Sequence, residues 1–410
     1  MHTLLIHQGF MTPKDAGGTR HYELAQFAVA QGDHFSVVTG DFSYMAGKGK
    51  SASLVGDQED VDGICVLRVA TPRSLHGGFI GQLFSFVSFA AASFAASMRV
   101  RDVDVVLGTS PPIFQAVTAW LVAAIRGRPL ILEIRDLWPE FIVDMGKLKN
   151  PIAIGMARWL ERFLYRRAHH FIVNSPAYVD YLISKRVDSS KITLIPNGVD
   201  PSMFEVGLDV TSAAQALRER FNLVGKFVVM YAGAMGPAND LTVLLDAASL
   251  LRDDPDVHVM LVGGGKIKAK LEAYASERSL TNVTFAGPQS KIDMRAFLQT
   301  ADVCVATLQD IAMFRMTYPN KVFDYLAAGR PIVLGIDGVI RRVVEDANAG
   351  VFVQPGDPHA LASAIRDFAS NPQRGEALGR NGREFVAHRF NRRDHGEAFA
   401  ALLRQMAPTK

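Results

Sequence analysis

Ile192-Thr193-Leu194-Ile195-Pro196-Asn197-Gly198-Val199-Asp200-Pro201 runs from a short apolar strand into a turn crowded with Pro, Asn, Gly and Asp. Each of those residues interrupts regular structure for its own reason. Proline lacks an N–H, glycine accepts left-handed backbone, and Asn and Asp bond to their own main chain. The same rhythm lies on either side of the break. Upstream, apolar runs at Thr3–Ile6, Phe35–Thr39, Ile64–Val69, Val105–Gly108, Leu130–Ile134, Phe171–Asn174 and Ile192–Ile195 alternate with helical patterns such as Thr19–Ala30 and Ile152–Arg167. Downstream the series restarts at Phe227–Ala232, His258–Val262, Val283–Ala286, Val303–Ala306, Ile332–Leu334 and Val351–Val353. Strands joined by helical crossovers lie parallel. The break therefore parts two doubly wound α/β domains, each of a size that one core supports. The spacing places the first domain at 1–198 and the second at 199–385. A last helical stretch, Glu384–Met406, is long enough for residues 386–410 to return to the first domain.

Composition narrows the function. With 49% hydrophobic and 21% charged residues the chain buries a large core, and 44 basic against 41 acidic residues leave a net charge of +3. That balance gives no footprint for nucleic acid. Cys65 and Cys304 sit in apolar runs without disulfide or zinc spacing, which suits a reducing compartment. The amino terminus reads as a first strand and not as a secretory signal, so the expected location is cytoplasmic.

Doubly wound sheets bind ligands where strands end and loops lead into helices. The loop after the first strand carries Gly17-Gly18 just before a helix, where bare backbone can approach a phosphate. It lacks the G-x-G-x-x-G dinucleotide fingerprint. In the second half, Ala232-Gly233-Ala234 and Gly263-Gly264-Gly265-Lys266 follow successive strands. Glycine-rich loops in both halves suit a diphosphate, although plain surface turns would look the same.

Three segments stand in order: Glu133-Ile134-Arg135-Asp136-Leu137-Trp138-Pro139-Glu140, then Ile195-Pro196-Asn197-Gly198-Val199-Asp200, then Pro319-Asn320-Lys321-Val322-Phe323-Asp324-Tyr325-Leu326-Ala327-Ala328-Gly329-Arg330-Pro331. Together they resemble the large family of retaining GT-B glycosyltransferases that includes sucrose synthase and bacterial mannosyltransferases. The Arg-Asp-Leu-Trp-Pro segment is similar to the branch of N-acetylfucosaminyl transferases that build bacterial surface polysaccharides such as O-antigen. The resemblance spans nearly the whole chain. It implies two Rossmann-like domains facing each other across a cleft, a UDP-sugar donor, and an acceptor sugar carried on polyprenyl diphosphate.

It also implies site residues, with departures. The family's carboxylate pair falls here on Met316 and Asp324. Asp324 keeps an acceptor for ribose hydroxyls, whereas Met316 accepts nothing. The donor sugar would then rest on backbone of Thr317, Tyr318, Pro319 and Asn320, or be a deoxysugar with fewer hydroxyls, which suits an N-acetylated amino-deoxysugar. Many relatives carry an Arg and a Lys on the loop matching Gly233–Asp240; this chain has Ala234 and Asn239. Diphosphate charge would be met by Lys266, Lys268, Lys321 or Arg135, though Lys321 could equally cap a helix. Where relatives often place a histidine near the reacting carbon, this chain has Arg135-Asp136, which the resemblance assigns to the acceptor and anomeric region; a plain ion pair is the alternative.

Retaining transfer in the family uses same-face attack, with the departing diphosphate taking the acceptor's proton. The catalytic load then falls on leaving-group stabilisation and alignment. Metal dependence would show as Asp-x-Asp at a strand end. Asp60–Asp62 and Asp102–Asp104 precede strands and read as solvated turns, so no metal and no cofactor are expected.

Gly77–Met98 has no charge and includes Phe79, Phe84, Phe86, Phe89 and Phe94. A crossover helix and a helix docked at the bilayer interface both account for it. Arg158, Arg162, Arg166 and Arg167, interleaved with Trp159 and Phe163, mark a second helix suited to anionic lipid or simply to water. The docked reading would make the protein peripheral on the inner face of the cytoplasmic membrane, and the crossover reading leaves it simply cytoplasmic. Two rivals keep the fold: a sugar-nucleotide epimerase, and a non-catalytic scaffold of a polysaccharide assembly complex.

Overall fold

Leu130-Ile131-Leu132-Glu133-Ile134 is buried along its whole length, as a parallel strand covered on both faces should be. The computed structural model that shows this describes residues 1–43, 48–49, 57–71 and 79–408, without the side chains of 42–43, 48–49, 79–80 and 82–83. The first sheet is built from β1 (His2–Ile6), β2 (His34–Gly40), β5 (Asp57–Val61), β6 (Ile64–Val69), β7 (Val105–Ser110), β8 (Leu130–Ile134), β9 (His170–Val173) and β10 (Ile192–Leu194). A two-stranded ribbon, β3 (Phe42–Ser43) with β4 (Lys48–Gly49), stands apart from it. The strand order is β10-β9-β8-β7-β1-β2-β6-β5, so the winding reverses between β1 and β7.

All pairings in this sheet are parallel except β5 with β6. The sequence reading missed β5 and took Asp60–Asp62 for a turn. Asp60 instead belongs to the strand, and the turn is Asp62-Gly63, at φ +54° and +84°. Asp-Gly with two left-handed residues makes the two-residue hairpin that matches strand twist. The strand itself, Asp57-Gln58-Glu59-Asp60-Val61, is polar because it is a wet edge.

The second sheet comprises β11 (Phe227–Ala232), β12 (Val257–Val262), β13 (Val283–Gly287), β14 (Val303–Thr307), β15 (Ile332–Gly335) and β16 (Gly350–Phe352). Its order is β13-β12-β11-β14-β15-β16, all parallel, and its winding reverses between β11 and β14. Apolar residues on both sheet faces are fully buried, Val229, Leu261 and Val305 on one and Met230, Met260 and Cys304 on the other.

The chain divides into two compact units. One holds Met1–Thr12, Thr19–Pro196 and Arg392–Lys410; the other holds Pro13–Gly18 and Asn197–Asn391. The expected single helix Glu384–Met406 is two helices, Pro372–Arg389 and Arg392–Met406, broken at Phe390-Asn391. Main-chain pairing accounts for the break: Phe390 O accepts from Val199 N at 3.0 Å, and Asn391 bridges Val199. The last helix packs on helix Arg20–Ala30 of its own unit. Arg392 Nε meets Glu23 at 2.7 Å, Arg404 Nε meets Asp33 at 2.9 Å, and Gly396 lies so close to Phe27 that a Cβ would stand 2.0 Å from the ring.

Helix Phe79–Ser97 is a crossover helix with one buried side: Phe89 and Ser93 are inaccessible, and Phe86 stacks 6.2 Å from Phe114. Phe84, by contrast, is 62% exposed. Gly77, Gly78 and the Phe79 side chain lie outside the described residues. Among the described residues no helix is long and apolar enough to cross a membrane.

Candidate active site

Tyr325 sits in helix Asn320–Ala327, and its hydroxyl closes the end of β11: it accepts from Ala232 N at 2.8 Å and donates to Ala232 O at 3.0 Å. That bond docks the helix beside the winding reversal of the second sheet. Lys321, one turn earlier on the same helical face, is thereby aimed at the same strand end. Its ammonium donates to Tyr231 Oη and to Asn239 Oδ1, both at 2.7 Å, and lies 4.2 Å from the Tyr231 ring centre. Both partners are neutral. Burial brings the Lys321 pKa down to about 7. The Tyr231 hydroxyl in turn donates a hydrogen bond to Ala234 O at 2.7 Å.

Around this ammonium the main chain is stripped of side chains. Gly233 has φ +156°, and a Cβ there would stand 3.3 Å from Lys321 Cε. At Gly263, φ +144°, a Cβ would fall 1.9 Å from Gly233 O, so the two loops touch backbone to backbone. Gly233 N donates to Val262 O and Met235 N to Gly264 O. Of the other expected donor-site residues, Gly18 approaches Asn320, with 3.6 Å from a built Cβ to Nδ2, and Gly17 at φ +145° makes the turn before it. Pro319 caps the helix, while Thr317 Oγ1 bonds back to Phe314 O at 2.9 Å. Tyr318 gives its carbonyl to Asn197 Nδ2 at 2.6 Å and its ring to Phe323 and Phe390. Met316 ends the 3-10 turn Ala312–Met316.

Asp324 is ion-paired with Lys291, which also lies 5.4 Å from the Phe204 ring centre. Sequence reasoning passed over Lys291, whose only signal was a lysine in the loop after β13. Lys266 stands exposed on its glycine turn, and Lys268 pairs with Glu272 one helical turn along.

The first unit presents a different chemistry at the carboxyl ends of its strands. Glu133, 1% exposed at the end of β8, has both oxygens occupied: Arg20 Nε donates to one at 2.8 Å and His21 Nε2 bonds the other. Arg20 further donates to Ile195 O at 2.7 Å and Pro196 O at 2.8 Å. Burial alone would raise the Glu133 pKa, yet His21 and Arg20 outweigh it and hold the carboxyl well below its usual range. Burial lowers the His21 pKa against the opposing pull of Glu133. His7, directly after β1, packs 4.4 Å from the His21 ring and 3.2 Å from Thr109 Oγ1 across the winding reversal; burial and Arg135 push its pKa well down.

Arg135 donates Nη2 to Pro111 O at 3.0 Å, and Asn174 Nδ2 donates to Arg135 O at 3.3 Å. Burial lifts the Asp136 pKa to about 6 against the pull of Arg135. Three buried polar atoms here have no hydrogen-bond partner in the protein: Arg135 Nε, Gln8 Oε1 and Asn174 Oδ1. Buried polar groups left unpaired are costly, and each calls for an explanation. Glu133, Arg20, His21 and His7 were missed as site residues. A carboxylate inside the apolar run of β8 was the signal that could have found them.

The two acidic triplets serve local structure. Asp60 caps Gly63 N at 3.1 Å, Asp62 accepts from Tyr22 Oη, and Asp104 accepts His2 N at 2.8 Å.

Residues 16–198 match the glycosyl transferase 4-like domain, and residues 226–371 match glycosyl transferases group 1. The chain is 27% identical over 365 residues to WcaI of Escherichia coli K12, a protein named as a colanic acid biosynthesis glycosyl transferase, covering 86% of this chain and 88% of that one. Among solved structures, sucrose-phosphate synthase from Thermosynechococcus elongatus superposes with a TM-score of 0.78 at 21% identity, covering 99% of this chain and 98% of its own. HepE of Anabaena in complex with UDP-glucose gives 0.72 at 18% identity, covering 99% and 100%. With both glycosyl transferase domains in sequence and a matching fold along its length, the chain is a glycosyltransferase of the GT-B fold.

Proposed function

We propose that the enzyme transfers a sugar, with retention of configuration, from a UDP-sugar to an acceptor sugar on polyprenyl diphosphate, in the assembly of a bacterial surface polysaccharide. The observation that carries the donor half is Lys321, an ammonium resting on two neutral oxygens beside glycine backbone. A carboxylate partner would cancel its charge; neutral partners leave it for an anion. Lys321 thus stands in for the cations missing at Ala234 and Asn239, with the first-turn amides of Asn320 and Lys321 adding to it. The crystal of Anabaena HepE with UDP-glucose supports a UDP-sugar as donor. Asp324 receives the ribose hydroxyls, exchanging part of its contact with Lys291. Met316 offers the sugar no hydrogen bond, which favours an amino-deoxysugar such as N-acetylfucosamine.

The acceptor half rests on Arg135 and Asp136, which the family resemblance assigns to the acceptor and anomeric region, and the buried polar atoms of Arg135, Gln8 and Asn174 that lack a partner in the protein mark the same strand ends. In same-face transfer the acceptor hydroxyl oxygen bonds to the anomeric carbon as the bond to the UDP oxygen breaks. The hydroxyl proton passes to the departing diphosphate, so no protein base is required. Lys321 stabilises the charge that develops on that diphosphate.

Incubation with a panel of UDP-sugars and a polyprenyl-diphosphate acceptor tests the reading, with product stereochemistry read by NMR. The expected result is an α-linked product from an α-linked donor, formed equally well in excess chelator. Loss of transfer in chelator with recovery on adding magnesium or manganese overturns the metal-free part. Epimerised donor without transfer identifies the epimerase instead.

A further inference from the structure

Helices Phe79–Ser97, Ile113–Arg126 and Pro151–Arg167 stand side by side in the first unit. Thr118 Oγ1 donates to Ala90 O at 3.2 Å, tying the first to the second, and the Trp120 ring meets Phe163 edge-on at 4.8 Å, tying the second to the third. Their inner faces fill the core through Phe89, Val122 and Leu164. Their outer faces are not those of helices in water. Phe84 and Val87 are 62% and 50% exposed, Leu121 and Ile125 36% and 56%, and Met156 and Trp159 67% and 59%. Scattered apolar residues are ordinary on a surface, but an apolar face repeated on three adjoining helices marks an interaction site.

The charges are equally one-sided. Neither Phe84–Arg101 nor Ile113–Arg128 contains an Asp or Glu. The single carboxylate of the third helix, Glu161, is fully buried against Tyr181 and Lys185. Arg162, Arg166 and Arg167 follow Trp159 along the same helix and are exposed, with Arg167 resting over the Phe163 ring at 5.5 Å. Arg158 is taken by Glu140 and does not join them.

We propose that this three-helix face docks on an anionic phospholipid bilayer, with Phe84, Ile125, Met156 and Trp159 at the acyl boundary and the arginines on headgroup phosphates. The surface is that of an interfacial helix layer: apolar on one side, basic at the rim, without acid. Spanning is excluded for the described helices by their length and polarity. A second copy of the chain fits less well, since a two-fold contact pairs a patch with itself and would offer the arginines no carboxylate. The proposal deepens the reading of a lipid-linked acceptor and rests on it for its purpose, because such a substrate keeps its lipid in the bilayer.

Co-sedimentation of the full chain with vesicles of phosphatidylcholine, alone or mixed equally with phosphatidylglycerol, tests it. The wild type should pellet with the mixed vesicles, be released by salt, and show blue-shifted tryptophan emission. Arg162→Glu with Arg166→Glu should weaken the partition at least about tenfold, given the usual contribution of a basic residue near anionic lipid. Met156→Ser with Trp159→Ser should abolish the emission shift. Both variants should keep full transfer to a short-chain, water-soluble acceptor, which separates this surface from the donor and acceptor chemistry. Wild type that stays in the supernatant at low salt overturns the proposal, as does equal pelleting of the variants. So does a dimer in solution that Trp159→Ser dissociates.

Discussion

The strand ends of the two units hold charge in opposite ways. In the first, each Glu133 oxygen has a partner, Arg20 on one and His21 on the other, and Arg20 also donates to Ile195 O and Pro196 O. In the second, Lys321 rests on Tyr231 and Asn239, with glycine backbone in place of side chains. A cluster whose opposite charges meet each other fixes elements relative to one another and leaves little net field for a ligand. An ammonium on neutral partners contributes less to the fold and keeps its field for an anion. The first cluster is therefore read as a positioning device behind Arg135, and the second as the diphosphate site.

Removing Glu133 should break the comparison most severely. Glu133→Leu leaves Arg20 buried without its carboxylate, which costs about 3–5 kcal/mol. Urea unfolding followed by circular dichroism checks this, and Glu133→Gln should lose less. The pH dependence has a definite sign. With its pKa held below the usual range, Glu133 contributes fully above the unfolded value near 4.5 and loses that contribution as pH falls through the folded value. The wild-type advantage over Glu133→Leu should therefore shrink in acid. A leucine variant as stable as wild type would make the cluster incidental.

The contrast also explains what the sequence could disclose. Parallel strands covered on both faces advertise themselves as apolar runs, so Ile64–Val69, Leu130–Ile134 and Phe227–Ala232 were legible residue for residue. The edge strand Asp57–Val61 was not, because one wet face and a polar composition erase the signal; only Asp62-Gly63 betrayed it. The break at Phe390-Asn391 escaped because it depends on pairing with Val199, a partner far off in sequence. At the site, the glycines could be read from their places at strand ends, whereas Lys321 came from the family resemblance. The Arg20–His21–Glu133 cluster could not, since it joins residues separated by 112 or 113 positions. The five phenylalanines proposed as a lipid contact were a mixture: Phe89 is core and Phe84 is surface. The exposed apolar face is completed by Met156 and Trp159 on another helix.

Asp324 gives a middle-sized test. Asp324→Ala removes the proposed ribose acceptor and should weaken UDP binding by about 1–3 kcal/mol by calorimetry. Unchanged affinity would reduce Asp324 to the ion-pair partner of Lys291. Lys266, exposed on its turn, should matter least, with Lys266→Ala shifting affinity by under about 0.5 kcal/mol.

The central claim is that Lys321 supplies the charge for the donor diphosphate, and UDP affinity measured against pH in chelator tests it most directly. With its pKa brought down to about 7, Lys321 is charged below neutrality and loses its proton above it. The account predicts that wild-type affinity for UDP falls as pH rises past 7, because binding must then take up a proton. It also predicts that Lys321→Met binds UDP about 1.5–3 kcal/mol more weakly at pH 6, where charge-assisted bonds are lost, with a flat profile above pH 7. Equal affinity in wild type and Lys321→Met at pH 6, or the same pH slope in both, would contradict it.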